Sequence, residues 1–161
     1  MPIINPKVAG DIWYPQYLVE TEVPIGNGVN VEKGKLYTRN AAGYLVPPTA
    51  AGTNYFVRGL FQASRDVPAA LNTADGVNMV DVFGVGSRIG IPAGAAMPEG
   101  AKVKYNIATG KVELLSYSAP PLANELFNAI GYVYEVYTKV DIETQKIAAV
   151  ADDIVVVELR S

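Results

Sequence analysis

The sequence contains neither cysteine nor histidine. Without cysteine there is no disulfide framework and no thiolate metal site. Without histidine the commonest general base and the commonest zinc ligand are both missing. Ser87, Ser116 and Ser118 therefore have no Ser-His-Asp triad to join, and no S-x-x-K motif offers a substitute. Charged residues make up 18% of the chain, with a net charge of −3. No run of Lys or Arg is present, which weighs against a nucleic-acid partner. No apolar stretch approaches the roughly 20 residues of a membrane-spanning helix. The start, MPIINPKVAGD, lacks the charged opening and long apolar run of a signal peptide. These absences predict a non-enzyme with no cofactor and no metal. They also predict no membrane partner and synthesis in a cytoplasm.

What the chain does contain is turn chemistry and apolar residues. Half of its 161 residues are hydrophobic, and 15 Gly and 11 Pro are spread along its length. That mixture suits many short strands joined by tight turns better than helices. The central stretch, Val80 to Leu115, shows the pattern best. An apolar strand runs from Val80 to Pro92 and carries Gly84, Gly86 and Gly90 in its interior. After the loop AGAAMPEG, Val103 and Tyr105 alternate with Lys102 and Lys104, and Val112 and Leu114 alternate with Lys111 and Glu113. Period-two alternation bounded by Gly, Pro and Asn is the mark of antiparallel strands wet on one side.

The same reading extends along the chain. Residues 1–16 form an extended arm, because Pro2, Pro6 and Pro15 block helix and regular pairing. Its apolar members Ile3, Ile4, Ile12, Trp13 and Tyr14 either lie against the chain's own domain or strap onto a partner. Residues 17–161 form a single domain. Tyr17 to Val23 is its first strand, and Lys35 to Arg39 pairs with Tyr44 to Val46 in a hairpin. Tyr55 to Gln62 follows with a bulge at Gly59. Val67 to Leu71 makes one helical turn and Thr73 to Asn78 an exposed loop. Leu122 to Ala129 is a short helix or a crossover. In Ile130 to Thr138 one face carries Tyr132, Tyr134, Val136 and Thr138, the other Val133, Glu135 and Tyr137. Both faces are apolar or aromatic, so this strand is covered on both sides, with Tyr132, Tyr134 and Tyr137 as candidate subunit contacts. A turn at Asp141 to Thr144, a strand at Lys146 to Val150 and a buried strand at Ile154 to Leu159 complete the chain. About nine or ten short strands point to an all-β barrel or sandwich, preferably closed to avoid exposed edges.

Two further motifs fit structure better than chemistry. Gly84, Gly86 and Gly90 miss the G-x-G-x-x-G spacing, no helix follows them, and the Lys-Ser/Thr pair of a phosphate loop is lacking. Asp152 and Asp153 lack the D-x-D-x-D-G spacing of a calcium loop and read as turn-capping carboxylates.

Three segments together resemble a known family: VEKGKLYTRNAAGYLVP (Val31 to Pro47), IPAGAAMPEGAKVKYNIATGKVEL (Ile91 to Leu114), and AIGYVYEVYT with DDIVVVELR (Ala129 to Thr138 and Asp153 to Arg160). Within them, Gly100 to Tyr105, Thr109 to Val112, Ile130 to Val133 and Val155 to Leu159 are similar to strand and turn phrases of the capsid cement, or head decoration, proteins of tailed bacteriophages. The arm before Tyr17 and the segment Ser116 to Ala129 depart from that family's pattern. The resemblance implies a structural virion protein on the outer surface of an icosahedral capsid, made in the host cytoplasm. It further implies a homotrimer bound to the major capsid protein without touching DNA. Many weak identical contacts on a lattice would reinforce one another there. The alternatives are a tail, fibre or spike component, or, since ten tyrosines also suit a glycan cleft, a carbohydrate-binding or glycan-hydrolysing β-domain.

Overall fold

Short alternating segments broken by glycine and proline produce antiparallel strands and almost no helix. The computed structural model describes residues 9–10, 19–49, 59–115, 129–138 and 141–160. Thirteen strands lie among these residues, and the all-β expectation holds. The excess over nine or ten is supplied by three two-residue strands. The first sheet holds β1 (Val19–Pro24), β2 (Leu36–Arg39), β3 (Leu45–Val46), β4 (Phe61–Ala63) and β5 (Met79–Phe83), in the order β1-β5-β4-β2-β3. The second holds β6 (Arg88–Pro92), β8 (Lys102–Asn106), β9 (Lys111–Leu114), β10 (Ala129–Thr138) and β13 (Ile154–Leu159), in the order β6-β13-β10-β8-β9. In that sheet β11 (Asp141–Lys146) also pairs with β10, and β7 (Met97–Pro98) and β12 (Ala148–Ala149) form a small ribbon alongside. A 3-10 turn at Ala69–Leu71 matches the expected helical turn.

The second sheet curls strongly into a half-barrel. Its edge strands β6 and β9 approach at one end, where the Gly94 amide donates to the Val112 carbonyl at 2.7 Å. Ala93 forms a parallel bridge to Val112 at the same place. The first sheet contributes to the core of this half-barrel. Because side chains alternate between faces, Leu36, Leu60 and Phe83 join Ile89, Ile91, Val103, Val133, Val136, Val155 and Val157 in one core. Their neighbours Tyr37, Phe61 and Val82 fill a second core with Val23, Val31 and Val80. Between the sheets, the Gln62 amide Nε2 donates to the Gly34 carbonyl at 3.0 Å and the Gly90 carbonyl at 2.9 Å. Ala9 and Gly10 lie against the Lys33–Gly34 turn.

Two strand expectations are corrected. Val80 to Pro92 is not one strand but two, β5 and β6, in different sheets. A turn separates them, with Gly86 at φ +93 and the Ser87 amide donating to the Gly84 carbonyl at 3.1 Å. The glycines thus carry the chain from one sheet to the other. Asp141 to Lys146 is strand β11, and the strand expected from Lys146 to Val150 is cut down to the two-residue β12, with the Ile147 side chain before it 85% exposed. The acidic side chains of the following turn are tied to lysines. Asp153 is buried, meets Lys146 Nζ at 2.5 Å and accepts the Val150 amide, and Asp152 meets Lys111 Nζ at 2.6 Å. The helix or crossover expected from Leu122 falls outside the described residues up to Ala129, which begins β10.

The two buried phenols make the fold sensitive to alkali. Tyr105 accepts the Leu36 amide at 3.3 Å, whereas Tyr37 accepts the Glu32 amide at 2.8 Å and donates to the Asn30 carbonyl at 3.0 Å. Burial disfavours the phenolate and pushes both side chains up to about 12 from 10.0. A raised folded-state value means the neutral phenols support the fold fully below about pH 10, and that support disappears as pH climbs towards 12. For Tyr105 alone the displacement corresponds to roughly 3 kcal/mol. Urea midpoints should therefore fall steeply between about pH 10 and 12, with tyrosinate absorbance from these two residues appearing only as the protein unfolds. All tyrosines ionising in the folded protein near pH 10 would contradict this.

Candidate interaction surface

The strand registers set up the outer face of the half-barrel. Val133 pairs with Val157 and Val157 with Ile89, giving one inward row across β10, β13 and β6. One residue away, the outward row runs Lys102, Tyr132, Glu158, Arg88 across β8, β10, β13 and β6. Neighbouring strands sit about 4.8 Å apart, so these four positions span roughly 14 Å.

Glu158 is the centre of the row. It accepts hydrogen bonds from the Tyr132 hydroxyl at 2.9 Å, from Arg88 Nε at 3.3 Å, and from the Nε and terminal nitrogen of Arg160 at 3.1 and 2.7 Å. The hydrogen bond from Arg160, then that from Tyr132, holds its carboxyl below the usual carboxylate range. The guanidinium groups also cover aromatic rings. Arg88 lies 3.7 Å from the Tyr134 ring centroid and Arg160 lies 5.1 Å from that of Tyr132.

A bulge explains how Tyr134 reaches Arg88. The β10–β13 register shifts between Val133 and Glu135, so Tyr134 has no ladder partner on β13. The expected strict alternation of β10 fails for this reason. Ile130, Val133 and Val136 point into the core at intervals of three, and Val136 does not share a face with Tyr132 and Tyr134. An extra residue in one strand re-aims its side chain, and here the ring swings over the guanidinium. Further along, Tyr137 packs on Ile154 and Val156, which are both buried on the outer side, and its hydroxyl donates to Glu135 at 2.6 Å. β13 is therefore buried on both faces, and alternate residues of it fill different apolar clusters.

Of the expected contact residues, Tyr132 and Tyr134 come together in one cluster, with Tyr137 on the same side of β10 beyond the bulge. Ile3, Ile4, Ile12, Trp13 and Tyr14 lie outside the described residues. Sequence reasoning missed Arg88, Glu158, Arg160 and Lys102. Alternation alone puts Glu158 and Arg88 outward, since Val157 and Ile89 point inward, but only the pairing of distant strands places them together. Among the described residues no group of three or more acidic side chains is arranged to hold a metal ion. Nor is any helix among them long and apolar enough to cross a membrane.

The arrangement suits adhesion. Tyrosine and arginine are the residues most enriched at the energetic centres of protein interfaces. Here their rotamers are fixed in advance by one carboxylate and two ring contacts, which reduces the entropy lost on binding. No family model, characterised protein or solved structure matches the chain.

Proposed function

We propose that this protein is a structural virion component that binds the outer surface of an icosahedral phage capsid and cements neighbouring capsomers. The observation that carries the reading is the ordered tyrosine–arginine surface around Glu158, built on a sheet whose other face is filled by core. A sheet closed on one side and sticky on the other transmits load between partners without chemistry of its own. The family resemblance of Val31 to Pro47, Ile91 to Leu114 and the β10 and β13 segments adds the partner, the major capsid protein, and a trimeric state. One face of Tyr132 and of Tyr134 is already taken by a guanidinium, which disfavours the sugar-stacking alternative.

Electron microscopy of expanded heads incubated with the purified protein tests this. Regular extra density at lattice positions is expected, with a trimer by light scattering in solution or on the head. Bare heads would overturn the proposal and favour a tail or spike component. Removing Met1 to Tyr14 is expected to abolish head binding while the circular dichroism of the β-domain is retained. Unchanged binding would exclude the arm as a clamp.

A further inference from the structure

We infer that the outward row of the half-barrel recognises a carboxylate-bearing segment of its protein partner. The inference rests on the adhesive role proposed above and adds the face used and the chemistry recognised. Its first ground is charge. The chain as a whole carries −3, yet Lys102, Arg88 and Glu158, aligned by strand register, and Arg160, ion-paired to Glu158, sum to +2. A cationic row on an acidic protein is a local reversal of field. It attracts anionic surfaces.

The second ground is geometry. Arg160 uses its Nε and one terminal nitrogen on a single oxygen of Glu158, and its side chain is 63% exposed. The guanidinium is planar and carries five donors, so holding one edge on Glu158 turns the remaining donors outward in a fixed plane. A second carboxylate meeting the edge not used by Glu158 would find a preset, bidentate partner. Lys102, exposed at the other end of the row, supplies a cation about two strand spacings from Glu158. Tyr132 lies between them and provides apolar area for the stem of a glutamate or aspartate. A nucleic-acid strand would instead need ring faces open to stack on, and here guanidinium groups sit over both tyrosines.

The test uses the full-length protein, a capped oligoglutamate peptide and an oligothymidylate, followed by amide chemical shifts and fluorescence anisotropy. Oligoglutamate is expected to shift the resonances of residues 102, 132, 158 and 160 at low salt, and to lose most of its affinity by about 300 mM NaCl. Combining Lys102→Glu with Arg160→Glu should weaken it by about tenfold or more, while Arg160→Lys, which keeps the charge but not the fork, should weaken it less. Both positions are exposed, and an unchanged urea midpoint for each variant confirms that folding is intact. The same variants are then applied to expanded heads. If heads bind the wild type and the double reversal equally, the inference fails while the cementing role stands. If no head binds but oligoglutamate still selects this row, the chemistry stands and the cementing role fails. Tighter binding of oligothymidylate than oligoglutamate would overturn the inference in favour of nucleic acid.

Discussion

Gly131→Ala should cost at least about 4 kcal/mol, enough to leave a domain of ordinary stability largely unfolded. Gly131 has φ +152, a conformation costly for any residue with a Cβ. A Cβ built there would lie 1.9 Å from the Glu158 carbonyl oxygen and 3.0 Å from its carbonyl carbon. Both obstacles are backbone, so no side-chain rotation relieves the clash. The only escape is to separate β10 from β13, and these strands carry the inward rows of Val133 with Val157 and Val136 with Val155. Strain and clash thus add at the centre of the sheet. Gly43→Ala is the control. Gly43 also has a positive φ, of +89, but a Cβ there meets nothing within 4 Å, so only the backbone penalty of about 1 kcal/mol applies. Urea unfolding of the two variants separates the effects. Equal losses would show that the β10–β13 approach relaxes without cost.

The second large effect is expected at Gln62, whose side chain is fully buried between the two sheets. Gln62→Leu fills similar space but removes both amide bonds, leaving the Gly34 and Gly90 carbonyls without those donors. At roughly 1–3 kcal/mol for each buried group deprived of a partner, the loss should be about 4 kcal/mol. Gln62→Glu makes the point more sharply. A carboxylate would face two carbonyl oxygens and desolvation would add to the repulsion, raising the introduced carboxyl's pKa in the folded state. Its penalty is then small below the unfolded value of about 4.3 and grows as pH rises through the raised folded value. Melting temperature against pH should fall from about pH 4 to neutrality in Gln62→Glu and stay nearly flat over that range in Gln62→Leu. Matching profiles for the two variants would mean that the carbonyls find other donors.

Gln62 also shows where sequence reasoning stops. Of the strand expected over YFVRGLFQ, the described part is β4, which runs from Phe61 to Ala63, and Leu60 just before it is buried. Nothing local reveals that a second sheet lies against that glutamine. The same limit explains the misread centre of the chain. From Val80 to Pro92 the apolar period is nearly continuous, because both β5 and β6 have a buried face, although they belong to different sheets. Hydrophobic period reports burial but not which layer does the burying. The pairing of the β8–β9 hairpin, by contrast, was legible, since its turn and register are local: Val103, Tyr105 and Val112 are buried and Lys104 faces Glu113, although Leu114 is exposed. Tyr132 and Tyr134 stood out in the sequence as contact candidates, but their neighbours Arg88 and Glu158 come from segments far along the chain. The bulge at Tyr134 left no mark in a sequence that alternates through it.

The place of β13 bears on how the molecule comes into being. It lies between β6 and β10 and pairs with both along its length. A ribosome that has produced everything up to Asp153 has therefore made a nascent chain with a gap between two apolar strands and a row of unsatisfied amides on each side of it. The half-barrel closes only when residues 154–159 enter that gap, an event joining segments about sixty residues apart. Such long-range closure is slow, and until it happens the open edges invite pairing with other chains. The strand that carries Glu158 is thus also the keystone of assembly, so the cationic row takes shape only in a molecule whose sheet is already complete.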